Sequence, residues 1–197
     1  MGQQERAVRT RARIVEAAAL EMDRSGYEGT TLSRVCEVAH ASMGALTFHF
    51  PSKRALAEAV GEEGAASVAA VVDRTLSART PRLRAAIDLT VALAGLLERD
   101  VTVRAAARVA REQPGMTEQW SRCWLPTVRD LLERARADGQ LGSAGCPETL
   151  TTMVVYLLCG VESTVRTGGV ATVCGAESLA DQVELMWQLV LRGAAAR

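Results

Sequence analysis

Aromatic residues are scarce in this chain, 4% of 197 positions. With alanine and leucine dominating, that scarcity favours helix over strand. No segment sustains the apolar–polar alternation of a strand, and no internal repeat is visible. Net charge is missing too: 23 basic residues balance 23 acidic ones, which excludes a basic coat for nucleic acid along the whole chain. Five cysteines, an odd number at irregular spacing, do not make a disulfide framework. The longest apolar stretch, residues 151–161, is too short to span a bilayer. The first residues are polar and no apolar leader core follows them, so a cytoplasmic protein with no membrane segment is expected. Catalytic signatures are lacking as well: no Walker loop, nucleophile elbow, HExxH zinc site or dinucleotide fingerprint. Cys36 and His40 are four residues apart, but a helix end falls between them, and core plus turn is the simpler reading than a metal site. No enzyme, metal site or cofactor is expected.

What is present is informative. Hydrophobic residues make up 48% of the chain, enough for a buried core in one or two domains. The stretch TTLSRVCEVAHASMGALTFHFPSKRAL, residues 30–56, reads as two short helices joined by a tight turn, followed by a third helix start. Leu32, Val35, Cys36 and Ala39 fall on one face of the first helix; Leu46 and Phe50 form the matching face of the second. Thr31 and Ser42 stand where N-cap hydroxyls belong, Pro51 ends the second helix and Ser52 can cap the next. A short helix exposed on one side and locked to its neighbour on the other suits insertion into a DNA major groove. Ahead of it, Arg6, Arg9, Arg11 and Arg13 face only Glu5, a local basic arm that is either a phosphate contact or an ordinary solvated helix face.

Gly26-Tyr27, Thr30-Thr31-Leu32, Val35, Ala39, Ser42, Gly44-Ala45-Leu46, Phe48-His49-Phe50, Ser52-Lys53 and Leu56 together resemble the DNA-binding domain of the tetracycline-repressor-like (TetR) family of bacterial regulators. Within it, GALTFHFPSK is most similar to the branch of γ-butyrolactone-type autoregulator receptors. The likeness covers roughly the first third of the chain and fades beyond Val60. It implies an all-α, TetR-like fold: a helix-turn-helix domain over residues 1–51 and a ligand-binding and dimerisation domain over residues 52–197.

Periodicity predicts the remaining helices. The first spans about residues 4–24, with Ile14, Ala18 and Met22 on one side and Gly26 at its end. The fourth runs from about 52 to 76, with Leu56, Val60, Val68 and Val72 as its apolar side. Gly61 and Gly64 mark either a hinge or a close helix contact in it. Pro81 opens the fifth, which carries Leu83, Ile87, Leu89, Val91 and Leu93. A sixth covers about 101–112 and breaks at Pro114-Gly115. A seventh covers about 117–137, with a kink or broken first segment at Pro126. An eighth runs from Pro147 to about 167, and a ninth from about 177 to 192. Loops are expected at Gly142 to Gly145, Gly168-Gly169 and Gly175.

The DNA-reading surface is expected at Thr31, Ser42, Met43, Gly44, Ala45, Thr47, Phe48, His49 and Lys53. Gly44 and Ala45 allow close approach. Phe48 is exposed if Leu46 and Phe50 are buried, and its ring can pack on a thymine methyl; the alternative is core packing. Ser42, Thr47, His49 and Lys53 can reach phosphates. Three departures from the resemblance stand out. The turn is Ala39-His40-Ala41 where a glycine usually takes a left-handed conformation, which histidine adopts at a cost. Met43 replaces a basic residue, and Thr47 replaces a tyrosine.

The resemblance also implies a homodimer and a cavity for a small apolar effector. Val154, Leu157, Leu158, Val161 and Val165, with Gly160, and Leu179, Val183, Met186, Trp187 and Val190 offer stripes for a four-helix interface; the alternative is the monomer core. Trp120 and Trp124 lie one helical turn apart, and Trp124 matches a cavity-lining tryptophan of the receptor branch. An indole suits a lactone or furan, offering a flat wall and one N–H donor. Gln119, Thr152, Tyr156 and Cys159 are the polar candidates beside them. The implied mechanism is repression by occupancy of a palindromic double-stranded operator, relieved when the effector spreads the reading heads. Two alternatives stay open: a regulator blind to such effectors, and a redox sensor using Cys123 or Cys159.

Overall fold

The computed structural model describes residues 2–113, 115, 120–142, 145–168 and 177–195. Among them are nine helices and no strand: α1 (Gly2–Gly29), α2 (Leu32–Ala39), α3 (Met43–His49), α4 (Lys53–Ser77), α5 (Arg82–Arg99), α6 (Val101–Glu112), α7 (Leu125–Ala137), α8 (Pro147–Thr167) and α9 (Leu179–Ala195). The architecture is all-α, as expected.

The chain divides into two compact units. The first comprises residues 1–66 and 101–120, the second residues 67–100 and 121–197. This partition differs from a boundary after residue 51. The start of α4 places Leu56, Ala57, Ala59 and Val60 in the same core as Ile14, Val15, Met22, Val35 and Leu46, and α6 adds Ala105 and Val109 to it. Gly64 is a close helix contact: a Cβ there would lie 2.7 Å from the Cβ of Ala106 and 3.2 Å from the carbonyl of Thr102. α4 continues unbroken through Gly61 and Gly64.

Gly26 marks the break in α1. It has φ 73° and ψ 177°, a left-handed φ that glycine adopts freely. The expected helix end is therefore a kink, and helical geometry resumes to Gly29. The turn is pinned by two side chains. The Thr30 hydroxyl donates to the Gly26 carbonyl at 2.7 Å, and the Tyr27 N–H donates to Glu112 Oε2 on α6 at 2.8 Å.

In the second unit, α5 is the central helix, packing against α7, α8 and α9. Ala86, Leu89, Leu93 and Leu97 make its inner side apolar apart from Thr90, whose buried hydroxyl donates to the Ala86 carbonyl at 2.8 Å. Its first turn is capped from a distance: Leu83 N–H donates to Gln140 Oε1 at 2.9 Å. The segment around Pro126 is broken rather than kinked. Trp120 to Arg122 is helical, Cys123-Trp124 is a turn, and α7 begins at Leu125 with Pro126 in its first turn, where a missing N–H is harmless. Ser178 caps α9, its Oγ accepting from Asp181 N–H at 3.1 Å. The expected features at Pro114, 117–119, Gly169 and Gly175 lie outside the described residues. No described helix is long and apolar enough to cross a membrane.

Candidate nucleic-acid interface and effector site

The helix-turn-helix is assembled by local capping. The Thr31 hydroxyl accepts from Arg34 N–H at 3.2 Å and opens α2. The Ser42 hydroxyl accepts from Ala45 N–H at 3.1 Å and opens α3. Ser52 does the same for α4 through Ala55 N–H, at 3.1 Å. Between α2 and α3, His40 takes φ 47°, ψ 45°. Its N–H bonds the Glu37 carbonyl at 3.1 Å, and Ala41 N–H bonds that of Cys36 at 3.0 Å. This is the left-handed closure a glycine usually supplies, made here by a histidine.

Leu46 and Phe50 are buried, so the ring between them must face outward. Phe48 is 81% exposed and Met43 42% exposed. Ser42, Gly44 and Thr47 are also exposed, and Ala45 and His49 half-buried. The His49 ring stands edge-on to Phe48 at 5.1 Å between centroids. Two expected contacts are otherwise engaged. Thr47 Oγ1 donates back to the Met43 carbonyl at 3.0 Å. Lys53 Nζ donates to the Glu28 carbonyl at 3.1 Å and lies 4.6 Å from the centre of the Tyr27 ring. The Thr47 bond is local to α3, whereas the Lys53 contacts tie the start of α4 to the end of α1.

The basic arm splits in two. Arg6 and Arg9 are exposed. Arg11 stacks over the Phe50 ring at 5.2 Å, and the Arg13 guanidinium donates to the carbonyls of Ala39 and His40. Arg13 thus fastens α1 to the turn itself. Nothing in the spacing of the arm marks Arg13 for this, because its partner is 26 residues away.

At the other end of α1, α6 supplies a second polar clasp. Arg104 pairs with Asp23 at 3.1 Å, Arg108 donates to the Asp23 carbonyl at 2.6 Å, and Arg108 pairs with Glu112 at 2.7 Å. Burial pushes the Glu112 carboxyl up, but Arg108 and the Tyr27 N–H together hold it below its ordinary value.

The effector candidates fall in both units. Trp120 belongs to the first unit, where it borders a small apolar recess with Ala57, Gly61, Ala65, Ala106 and Val109. Trp124 belongs to the second unit and is 2% exposed. Thr152, Tyr156 and Cys159 lie on the outer face of α8. Tyr156 is 72% exposed, and with Thr149, Thr152, Met153 and Leu157 it borders an open depression. Of the two alternatives for the α8 stripe, Val154, Leu158 and Val161 take the monomer core: they face inward. Gln119 lies outside the described residues. Trp187, grouped from sequence with an interface stripe, is fully buried together with Val183. Its Nε1 has no hydrogen-bond partner among the described residues. Burial raises the Cys36 and Cys123 thiols above their usual values, which keeps both protonated and argues against Cys123 as a redox sensor. Among the described residues no cluster of His, Cys, Asp and Glu is suited to a metal.

Residues 14–60 match the tetR family of bacterial regulatory proteins. The chain carries the TetR-family N-terminal domain. It is 28% identical over 193 residues to an A-factor receptor protein of Streptomyces griseus, covering 97% of this chain and 66% of that one; it thus spans just under two thirds of that relative. Among solved structures it is similar to a gamma-butyrolactone receptor (ArpA like protein), with TM-score 0.75 and 27% identity over 95% of this chain and 89% of that one. The TetR family protein CprB from S. coelicolor A3(2) superposes with TM-score 0.78 and 26% identity, over the same shares of the two chains. TetR regulators act by binding DNA, not by catalysis. Within the TetR domain, Thr31, His40, Ser42 and Phe48 carry the geometry; outside its matched residues, Arg13, expected only as part of the basic arm, and Glu112, which sequence reasoning missed, clasp it.

Proposed function

We propose that this chain is a homodimeric TetR-family repressor that occupies a palindromic operator and is released by a small apolar effector of the butyrolactone or furan type. The DNA-binding part rests on the capped α2–α3 pair and its outward ring, Phe48. A single such pair reads a half-site, so two copies with α3 helices about 34 Å apart are required for a palindrome. The outer apolar residues of α8 and α9, Tyr156 at 72% and Leu189 at 67% exposure, offer the surface for pairing. Thr152, Tyr156 and Cys159 belong to that surface in this reading.

The observation that carries the effector part is the buried indole of Trp187. An N–H buried with no partner among the described residues costs about 1–3 kcal/mol, and a lactone or furan oxygen would supply an acceptor for it. Trp124, buried in the same unit, supplies an apolar ring for such a ligand. Release requires that the effector favour the spread form by a few kcal/mol.

The test is a DNA-release titration of the full chain with γ-butyrolactone and furan probes, alongside Trp187→Phe, which keeps a ring and removes the donor. Release of the wild type and none of the variant, with equal DNA affinity, is expected. Specific DNA binding that no probe disturbs would instead establish a regulator blind to these effectors. Sedimentation of the free protein checks the dimer.

A further inference from the structure

Residues 42–49, Ser-Met-Gly-Ala-Leu-Thr-Phe-His, contain no Arg, Lys, Asn, Gln, Asp or Glu. Those are the side chains that read base edges in the major groove through paired hydrogen bonds. The hydroxyls present are each partly engaged within the fold: Ser42 Oγ accepts from the Ala45 N–H at 3.1 Å, and the Thr47 hydroxyl donates to the Met43 carbonyl at 3.0 Å, which leaves single hydrogen bonds but no paired readout of a base edge. Lys53 is turned to the Glu28 carbonyl and the Tyr27 ring. The large side chains that project furthest from α3 are apolar, beside the exposed Thr47 and the half-buried His49. Phe48 and Met43 are its two large exposed side chains. Gly44 sits one turn before Phe48, on the same face, and a Cβ there would meet nothing nearer than Ser42 Oγ at 3.9 Å. Side chains on a helix lean towards its N-terminus, so the Phe48 ring stands beside bare backbone that can approach the bases closely.

We infer that α3 reads thymine 5-methyl groups, with Phe48 as the residue that determines specificity and Met43 as its second contact. This inference rests on the operator-binding reading above. The methyl is the one apolar feature of the major-groove edge. Burying it against an aromatic ring favours T·A pairs at defined positions, while phosphate contacts give register without sequence. A reading head of this kind discriminates thymine from uracil, which differ in that methyl alone.

The test begins with selection of bound sites from a random-sequence duplex library, using the full chain. The enriched site is then remade in two ways: with deoxyuridine for thymidine, removing methyls, and with 7-deazapurines, removing the N7 acceptors. Binding is compared by fluorescence anisotropy at one salt concentration. Loss of one buried methyl per half-site is expected to weaken binding about fourfold per half-site and about fifteenfold for the dimer. The 7-deaza site is expected to bind within about twofold of the parent. Phe48→Ala, at a position 81% exposed, should keep the wild-type melting temperature and lose most of the preference for the thymine over the uracil site. Equal binding of both sites by the wild type would overturn the inference while leaving operator binding intact, and would point to readout of DNA shape. A thymine preference undiminished in Phe48→Ala would remove Phe48 from the reading. If no sequence were enriched, operator reading itself would fall, and the inference with it.

Discussion

Both units bury an apolar core, but they differ in how oriented polar contacts fix their turns. The first relies on oriented polar contacts at turns: Thr31, Ser42 and Ser52 cap three successive helices, Arg13 grips the α2 terminus, and Glu112 holds the Tyr27 N–H. The second relies on apolar burial around α5, with Leu89, Leu93, Trp124, Leu131, Leu158 and Trp187 withdrawn from solvent. Each unit leaves one large aromatic outside its core, Phe48 and Tyr156. Directional hydrogen bonds fix angles, which a helix presented to DNA requires. Apolar burial is not directional, so it leaves more than one packing open to an interior that, as proposed, accepts a ligand.

The sharpest way to test that contrast is through the two exposed aromatics. Tyr156→Asp should raise the dimer dissociation constant about 100-fold, since a charge would enter an apolar interface, while helicity stays unchanged; sedimentation and circular dichroism check it. Phe48→Asp should leave the dimer intact. Dissociation by the Phe48 variant instead would break the assignment of the two surfaces.

A smaller effect is expected inside the first unit. Gly64→Ala brings a methyl to 2.7 Å from Ala106 Cβ and 3.2 Å from the Thr102 carbonyl. It should destabilise by about 2 kcal/mol through overpacking, read as a lowered melting temperature. An unchanged value would show that α4 and α6 yield as easily as an apolar core does.

Glu112→Gln should cost about 1 kcal/mol at neutral pH, by removing the ion pair with Arg108 while keeping an acceptor for the Tyr27 N–H. The carboxyl is held below its ordinary value in the fold. Its contribution is therefore complete above the unfolded glutamate value of about 4.3 and disappears as pH falls through the lowered one. Melting temperatures of wild type and variant should differ at pH 7 and converge in the acid range. A constant gap would show that the charge of Glu112 is immaterial to the clasp.

The smallest effect is a gain. His40 sits at φ 47°, and His40→Gly should stabilise by about 0.5 kcal/mol, the relief of left-handed strain partly offset by glycine's greater freedom when unfolded. The readout is a slightly raised denaturant midpoint with unchanged slope.

Much of the reading head was legible because its determinants are local. Hydroxyls three residues before their partners, a short helix with two core positions and a proline stop leave one phase for α3, and Phe48 must then face out. The effector region was less legible. α8 carries apolar residues on every side, so Val154 and Tyr156 could not be assigned to opposite faces by period alone. Trp120 and Trp124, four residues apart, were separated by a turn at Cys123-Trp124 that Pro126 signalled without locating.

The sequence by itself determined the helical class, the caps, the breaks at Gly26 and Pro126 and the outward ring of Phe48, because each follows from interactions within about one helical turn. Only the tertiary structure decided that α6 joins the DNA-binding unit, that Arg13 and Glu112 clasp the two ends of the α1 segment, and that Trp187 lies inside while Tyr156 lies outside. Those outcomes depend on partners up to 85 residues distant, and which face of an apolar helix is buried is set by what packs against it, not by its own pattern.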